Sequence, residues 1–183
     1  TRGEIAKLIA GQDQKELTER FYRDLEFGTG GLRGILGAGT SRMNVYNVRK
    51  ATAALAAHVK ATFKHDKKPR IAISHDSRRF SRDFAKAAAE VLAAAGIQAL
   101  ITKALRPVPM LSFMVRHFDC KAGICITASH NPPNYNGYKV YWQTGGQLVP
   151  PHDKEIIRLY GELSGYESIR SMPYATAQSK GLI

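Results

Sequence analysis

The chain has 183 residues, 44% hydrophobic and 23% charged, which excludes a disordered or fibrous protein and allows one buried core. Lys and Arg outnumber Asp and Glu by 27 to 15, a net charge of +12 that favours anionic partners such as nucleic acid, acidic lipid or sugar phosphate. No apolar run reaches the length of a membrane span and the amino terminus carries no signal-peptide pattern, so a cytoplasmic chain without a membrane partner is expected.

Apolar residues at Ile5, Leu8, Ile9, Leu17, Phe21 and Leu25 predict one or two amphipathic helices over 4–24, broken near Gly11. The segment 27–39, FGTGGLRGILGAG, holds six glycines and is expected as a loop or irregular hairpin. Asn44 then caps a helix carried by Val45, Val48, Thr52, Leu55, Val59 and Phe63, which ends at a Lys-rich turn and Pro69. A strand follows over 70–74. Ser81 is expected to cap a helix through Phe84, Ala88, Val91, Leu92 and Ala95 that stops at Gly96, with a strand over 97–102 behind it. Pro107 and Pro109 precede a short helix over 110–117, and 122–127 reads as a buried, Ile-rich strand. A further strand spans 138–142, Gly145-Gly146 turns the chain, and 151–163 is a proline-initiated helix. Strands alternating with helices imply a single α/β domain over 1–183, with 1–26 a helical N-terminal segment.

Cys120 and Cys125 lack the further Cys or His partners that a zinc site requires, so reduced, buried thiols are expected. Chemistry concentrates after the 122–127 strand. Ser129, His130, Asn131, Asn134, Tyr135, Asn136, Gly137 and Lys139 fall within eleven positions, beyond the carboxyl end of a strand, where α/β sheets hold ligands. A serine hydroxyl is a weak nucleophile unless a base takes its proton or it already carries a transferable group, and His130 and Lys139 are the nearby candidates. From spacing alone a second reading stands beside this one: Ser129 and His130 satisfy backbone groups in a turn headed by Asn131-Pro132. Arg33, judged singly, reads as a surface charge, and Arg78 as the anchor of its own turn through Asp76. The glycines at 28–31 follow no clear strand and lie too far from the next helix for a dinucleotide fingerprint.

The run TASHNPPNYNGYKVY at 127–141 resembles the phosphoserine loop of the α-D-phosphohexomutase superfamily, the phosphoglucomutases and phosphomannomutases. FGTGGLRG at 27–34, Asp76-Ser77-Arg78 and LRPVPML at 105–111 resemble segments of the same family in the same order. GAGTSRMN at 37–44 is most similar to the branch of bacterial phosphoglucomutases and the phosphoglucomutase-2 or phosphopentomutase type. Val108 departs from the threonine more usual there, a change expected to affect packing.

The resemblance implies domain I of that family, a three-layer α/β/α sandwich with a mixed, mainly parallel sheet, as the N-terminal phosphoserine domain of a longer multidomain mutase. It implies Ser129 as the phosphoserine and, through its phosphate, a Mg2+ ligand. His130 and Lys139 become acid/base or electrostatic partners, Arg33 a cation near the phosphoryl group, and Asn131 part of the phosphate-binding loop. The implied substrate is a hexose phosphate, glucose first, with hexose 1,6-bisphosphate as intermediate and activator. The family's Asp-rich metal loop belongs to its second domain and does not occur in these residues, so the other domains of the same enzyme are implied partners and the isolated piece is expected to be nearly inactive. Gly161–Gly165, GELSG, resembles the family's sugar-recognition loop, but it stands in the wrong domain for that role.

Two other classes fit the composition. A non-catalytic module that binds phosphosugars or anions would use the same basic surface with Ser129 never modified. A nucleic-acid-binding domain would use Tyr135, Tyr138, Tyr141 and Trp142 beside Lys139, and ranks last.

Overall fold

The computed structural model describes residues 1–183. Two short helices, α1 (Arg2–Ala10) and α2 (Gln14–Phe21), lead in and bury no residue of their own. Arg20 ties them together, donating to Glu4 and Glu16 and to the Ala38 carbonyl.

The glycine-rich segment, expected as a loop or irregular hairpin, is more regular than that. Its centre is a strand, β1 (Gly31–Ile35), at the edge of the sheet. The reason lies in Gly31, whose φ of +119° is unfavourable for residues with a Cβ; a Cβ there would stand 1.8 Å from the Tyr138 carbonyl oxygen. The glycine thus serves close approach between strands.

Asn44 caps α3 (Val45–Thr62), its Oδ1 accepting from the amides of Tyr46 and Asn47. Next come β2 (Arg70–His75), α4 (Ser81–Ala94), β3 (Gln98–Ile101), α5 (Val108–His117), β4 (Ala122–Ile126), β5 (Tyr135–Trp142) and α6 (His152–Glu162). A last helix not anticipated from the sequence, α7 (Tyr174–Ser179), packs on α4. Ser81 is not a cap. The capping position falls to Phe80, in left-handed conformation, because the Ser81 hydroxyl is committed to Asp76 Oδ1 at 2.7 Å.

The five strands order β1-β5-β4-β2-β3 in one mixed sheet. β2 pairs in parallel with β3 and β4, and β5 pairs antiparallel with β4 and β1, so the addition of β1 divides the pairings evenly between the two kinds. One face carries Leu32, Ile71, Ile73, Ile124, Ile126, Tyr138 and Val140 into the main core beneath α3, α4 and α6. The opposite face is covered by α5 alone, through Leu111, Met114 and Val115 on Ala72 and Cys125, with Val108 packed against the same cluster. That single helix leaves the β1–β5 side of the face open. Tyr138 and Trp142 are buried, so they offer no stacking surface to a nucleic acid. No helix is long and apolar enough to cross a membrane.

Candidate active site

Residues 127–134 join β4 to β5 at the end of the sheet where β2 and β4 also finish. Thr127 and Ala128 are buried and fasten the loop to the sheet, and the chain then turns outward at Ser129, whose φ is +54°. Left-handed backbone costs an L-residue roughly 1–2 kcal/mol, so contacts around it must hold it there. The Ser129 amide donates to Thr127 Oγ1 at 3.1 Å and the Asn131 amide to the Ala128 carbonyl at 3.0 Å. The Ser129 side chain satisfies no backbone group. It is exposed, and its hydroxyl stands 3.4 Å from Nδ1 of the exposed His130. Its geometry is therefore that of a presented hydroxyl, not of a side chain consumed in a turn.

Arg78 supplies most of the remaining hold. Its ion pair with Asp76 is present, Nε to Oδ2 at 3.5 Å. The same guanidinium also spans to the serine loop, where Nη2 donates to the carbonyls of Ser129 and Asn131 at 2.8 and 2.6 Å. Nη1 donates to those of Pro132 and Tyr135 at 2.8 and 3.2 Å. A planar fork with fixed N–H directions can gather four carbonyls in this way, whereas an ammonium cannot. Asn136 makes a second link between the two loops. Its Nδ2 donates to the Arg79 carbonyl and the Ser81 hydroxyl, and Ser81 in turn donates to Asp76.

Sequence reasoning saw Arg78 only as a local anchor and did not single out Asn136 as a link or Thr127 as a support. Asn136 fell outside the strand expected over 138–142; β5 begins at Tyr135, and Asn136 lies in it wholly buried, where a polar side chain needs partners.

The register sets the cations. Arg33 on β1 lies opposite Gly137 on β5, and Lys139 lies two residues further along β5 on the same face. Diagonal neighbours of this kind are roughly 7–8 Å apart, within reach of long side chains. Gly137 also abuts Thr127, its carbonyl accepting from the Thr127 amide at 3.1 Å. Arg33 and Lys139 thus stand on the strands that flank the root of the Ser129 loop. Arg33 is exposed, Lys139 is half-buried, and neither takes part in an ion pair. Asn131 keeps its side-chain oxygen buried without a hydrogen-bond partner.

This donor set suits an anion, and it does not by itself suit Mg2+, which needs several oxygen ligands. No three His, Cys, Asp or Glu side chains cluster anywhere in the chain, and the nearby Asp76 carboxylate is already engaged by Arg78 and Ser81. Cys120 and Cys125 are free, buried thiols; burial pushes Cys120 up to about 11 and raises Cys125 as well, so neither offers a thiolate.

The mixed sheet thus carries an exposed serine on a loop beyond a strand end, with the unpaired cations Arg33 and Lys139 on the strands beside it. Residues 24–167 match the model for phosphoglucomutase/phosphomannomutase, alpha/beta/alpha domain I, and the chain belongs to that family. It is 40% identical to a human phosphopentomutase over 83% of its own length and 26% of that protein's. A Staphylococcus saprophyticus phosphoglucomutase is 41% identical over 79% of the chain and 26% of the relative. Among solved structures, a Thermus thermophilus protein assigned as a phosphomannomutase superposes with a TM-score of 0.72 at 30% identity, covering 83% of this chain and 32% of that one. The chain therefore spans about a quarter of the length of the curated relatives it matches.

Proposed function

We propose that residues 1–183 form the phosphoserine domain of a longer cytoplasmic phosphohexomutase, in which Ser129 carries the transferable phosphoryl group. The observation that supports this most is the solvent-facing Ser129 hydroxyl on a left-handed turn, held by Arg78. In the forward half-reaction the bond between phosphorus and Ser129 Oγ breaks and a bond to a hydroxyl oxygen of the sugar monophosphate forms. The proton of that hydroxyl passes to a neutral nitrogen base, for which His130 and Lys139 are the candidates. Arg33 stays protonated and balances charge on the phosphoryl oxygens, with Lys139 when it is charged. The bisphosphate then returns its other phosphoryl group to Ser129, and no net phosphate is consumed.

Magnesium and hexose 1,6-bisphosphate belong to this proposal as the family resemblance implies them. In this chain only Ser129, once phosphorylated, is assigned to the metal. Glucose phosphate is the proposed substrate, and the phosphopentomutase relative makes a pentose phosphate the second choice. Water must be kept from a reactive phosphoryl group, yet Ser129 and His130 lie open to solvent in this domain. Closure is proposed to come from the other domains of the enzyme, so the 183-residue chain alone should show little mutase turnover.

The test is conversion of glucose 1-phosphate to glucose 6-phosphate by the gene product that carries this chain, with Mg2+ and glucose 1,6-bisphosphate present. Ser129→Ala should lower kcat at least about 1000-fold while the fold is retained. Activity within about twofold of the parent would replace this reading with the binding module, in which Ser129 is never modified.

A further inference from the structure

A second group of cations lies at the carboxyl ends of β2 and β3, lining a cleft of about 340 Å3 that none of Ser129, His130, Arg33 or Lys139 borders. His75 ends β2, Arg82 and Lys86 stand one turn apart on α4, Thr102 and Lys103 follow β3, and Tyr174 of α7 closes one side.

Three observations converge on this cleft. Arg82, Lys86 and Lys103 form no ion pair, although eleven such contacts occur elsewhere in the chain. Asp76 is engaged by Arg78 and Ser81, and Glu90 by Arg49, while Asp83, exposed beside Arg82 on α4, forms no ion pair with these cations. His75, only 3% exposed, has Nδ1 3.2 Å from the Asp76 carbonyl and no partner for Nε2. The Thr102 hydroxyl is buried without a partner. Buried polar groups are seldom left unpaired unless a ligand or water completes them.

We propose that this cleft binds the phosphate group of a small phosphate-bearing molecule, as a site separate from the Ser129 loop and independent of the mutase reading. The chemistry matches: a guanidinium fork and two ammonium groups supply three positive charges to a phosphate anion, and the Thr102 hydroxyl donates one hydrogen bond. With its proton on Nδ1, His75 presents Nε2 as an acceptor for the P–OH of a hydrogen phosphate. The volume falls at the lower end of small-molecule sites, and the ends of parallel strands are where α/β sheets place their ligands. Lys86 Nζ sits 5.4 Å from the centre of the Tyr174 ring, which positions its charge at the wall of the cleft.

The test is a titration of the 15N-labelled 183-residue chain with inorganic phosphate, followed by amide shifts. Saturable shifts at Lys86, Thr102 and Lys103 are expected, unchanged in Ser129→Ala and weakened at least about tenfold in the Lys86→Gln/Lys103→Gln double variant. Thr102→Val, which keeps volume and removes only the hydroxyl, should also weaken binding and guards against a folding defect in the double variant. Shifts that do not saturate below about 10 mM, that persist when both lysines are neutral, or that are confined to residues 127–134 would overturn the proposal.

Discussion

If Arg78 holds the Ser129 loop, replacing it with alanine should cost stability and loosen that loop in particular. The guanidinium makes four hydrogen bonds to carbonyls 51 to 57 residues away. Those to Ser129 and Pro132 are solvent-exposed, so water replaces the lost donor, while those to Asn131 and Tyr135 are partly buried. A bond to a charged donor contributes about 1.5 kcal/mol at the low end, so the two partly buried ones set the expected loss at roughly 3 kcal/mol. The ion pair to Asp76 is long, 3.5 Å, and still partly open to solvent, so it adds little. For a domain of this size that is a fall in Tm of about 6–12 °C. Arg78→Lys should recover less than half of it, because one ammonium cannot reach four carbonyls. Calorimetry gives the Tm, and amide hydrogen exchange gives the location: the amides of Asn131 and Tyr135, bonded to the carbonyls of Ala128 and Pro132, should exchange faster while those of β2 do not. A Tm within about 1 °C of the parent and unchanged exchange at Asn131 and Tyr135 would refute the reasoning.

Gly137→Ala should destabilise by about 1–3 kcal/mol, since its Cβ would stand 2.7 Å from the Thr127 carbonyl oxygen and 2.9 Å from that of Leu32. Denaturant unfolding checks this, and a cost below about 0.5 kcal/mol would show that the strands yield. Acid sensitivity should arise at His58, where burial and then the neighbouring His152, 3.0 Å away, hold the ring below its ordinary 6.5. The unfolded chain takes up a proton there that the native pair resists. The stability from the neutral His58 ring is therefore complete above 6.5 and is lost as pH falls from 6.5 through its folded-state value. Tm should fall as pH is lowered below 6.5, and His58→Gln should flatten that slope; an unchanged slope would exclude His58 as its source.

The elements that the sequence made legible are those whose information is local. The apolar runs of β2 and β4, the Asn44 cap and the periodicity of α3 each declare themselves within a few residues. β1 did not, because six glycines suggest a loop or irregular hairpin and only pairing with β5 shows that Gly31 is there for close approach. Ser81 was misjudged for a similar reason, since a serine before a helix suggests a cap until Asp76 is seen to claim its hydroxyl. The candidate site was half visible: the TASHNP run pointed to Ser129 and its neighbours through family resemblance. Arg78 and Asn136 join segments more than fifty residues apart, a relation that the register of the sheet brings about and no local pattern encodes.

The central claim is that Ser129 carries the phosphoryl group, and phosphopeptide mapping tests it most directly. The gene product that carries this chain would be treated with glucose 1,6-bisphosphate and Mg2+, digested and analysed by mass spectrometry, then analysed again after glucose 1-phosphate is added. The account predicts one phosphate on the peptide containing Ser129 that the monophosphate sugar removes. A folded protein whose Ser129 stays unmodified throughout would contradict it.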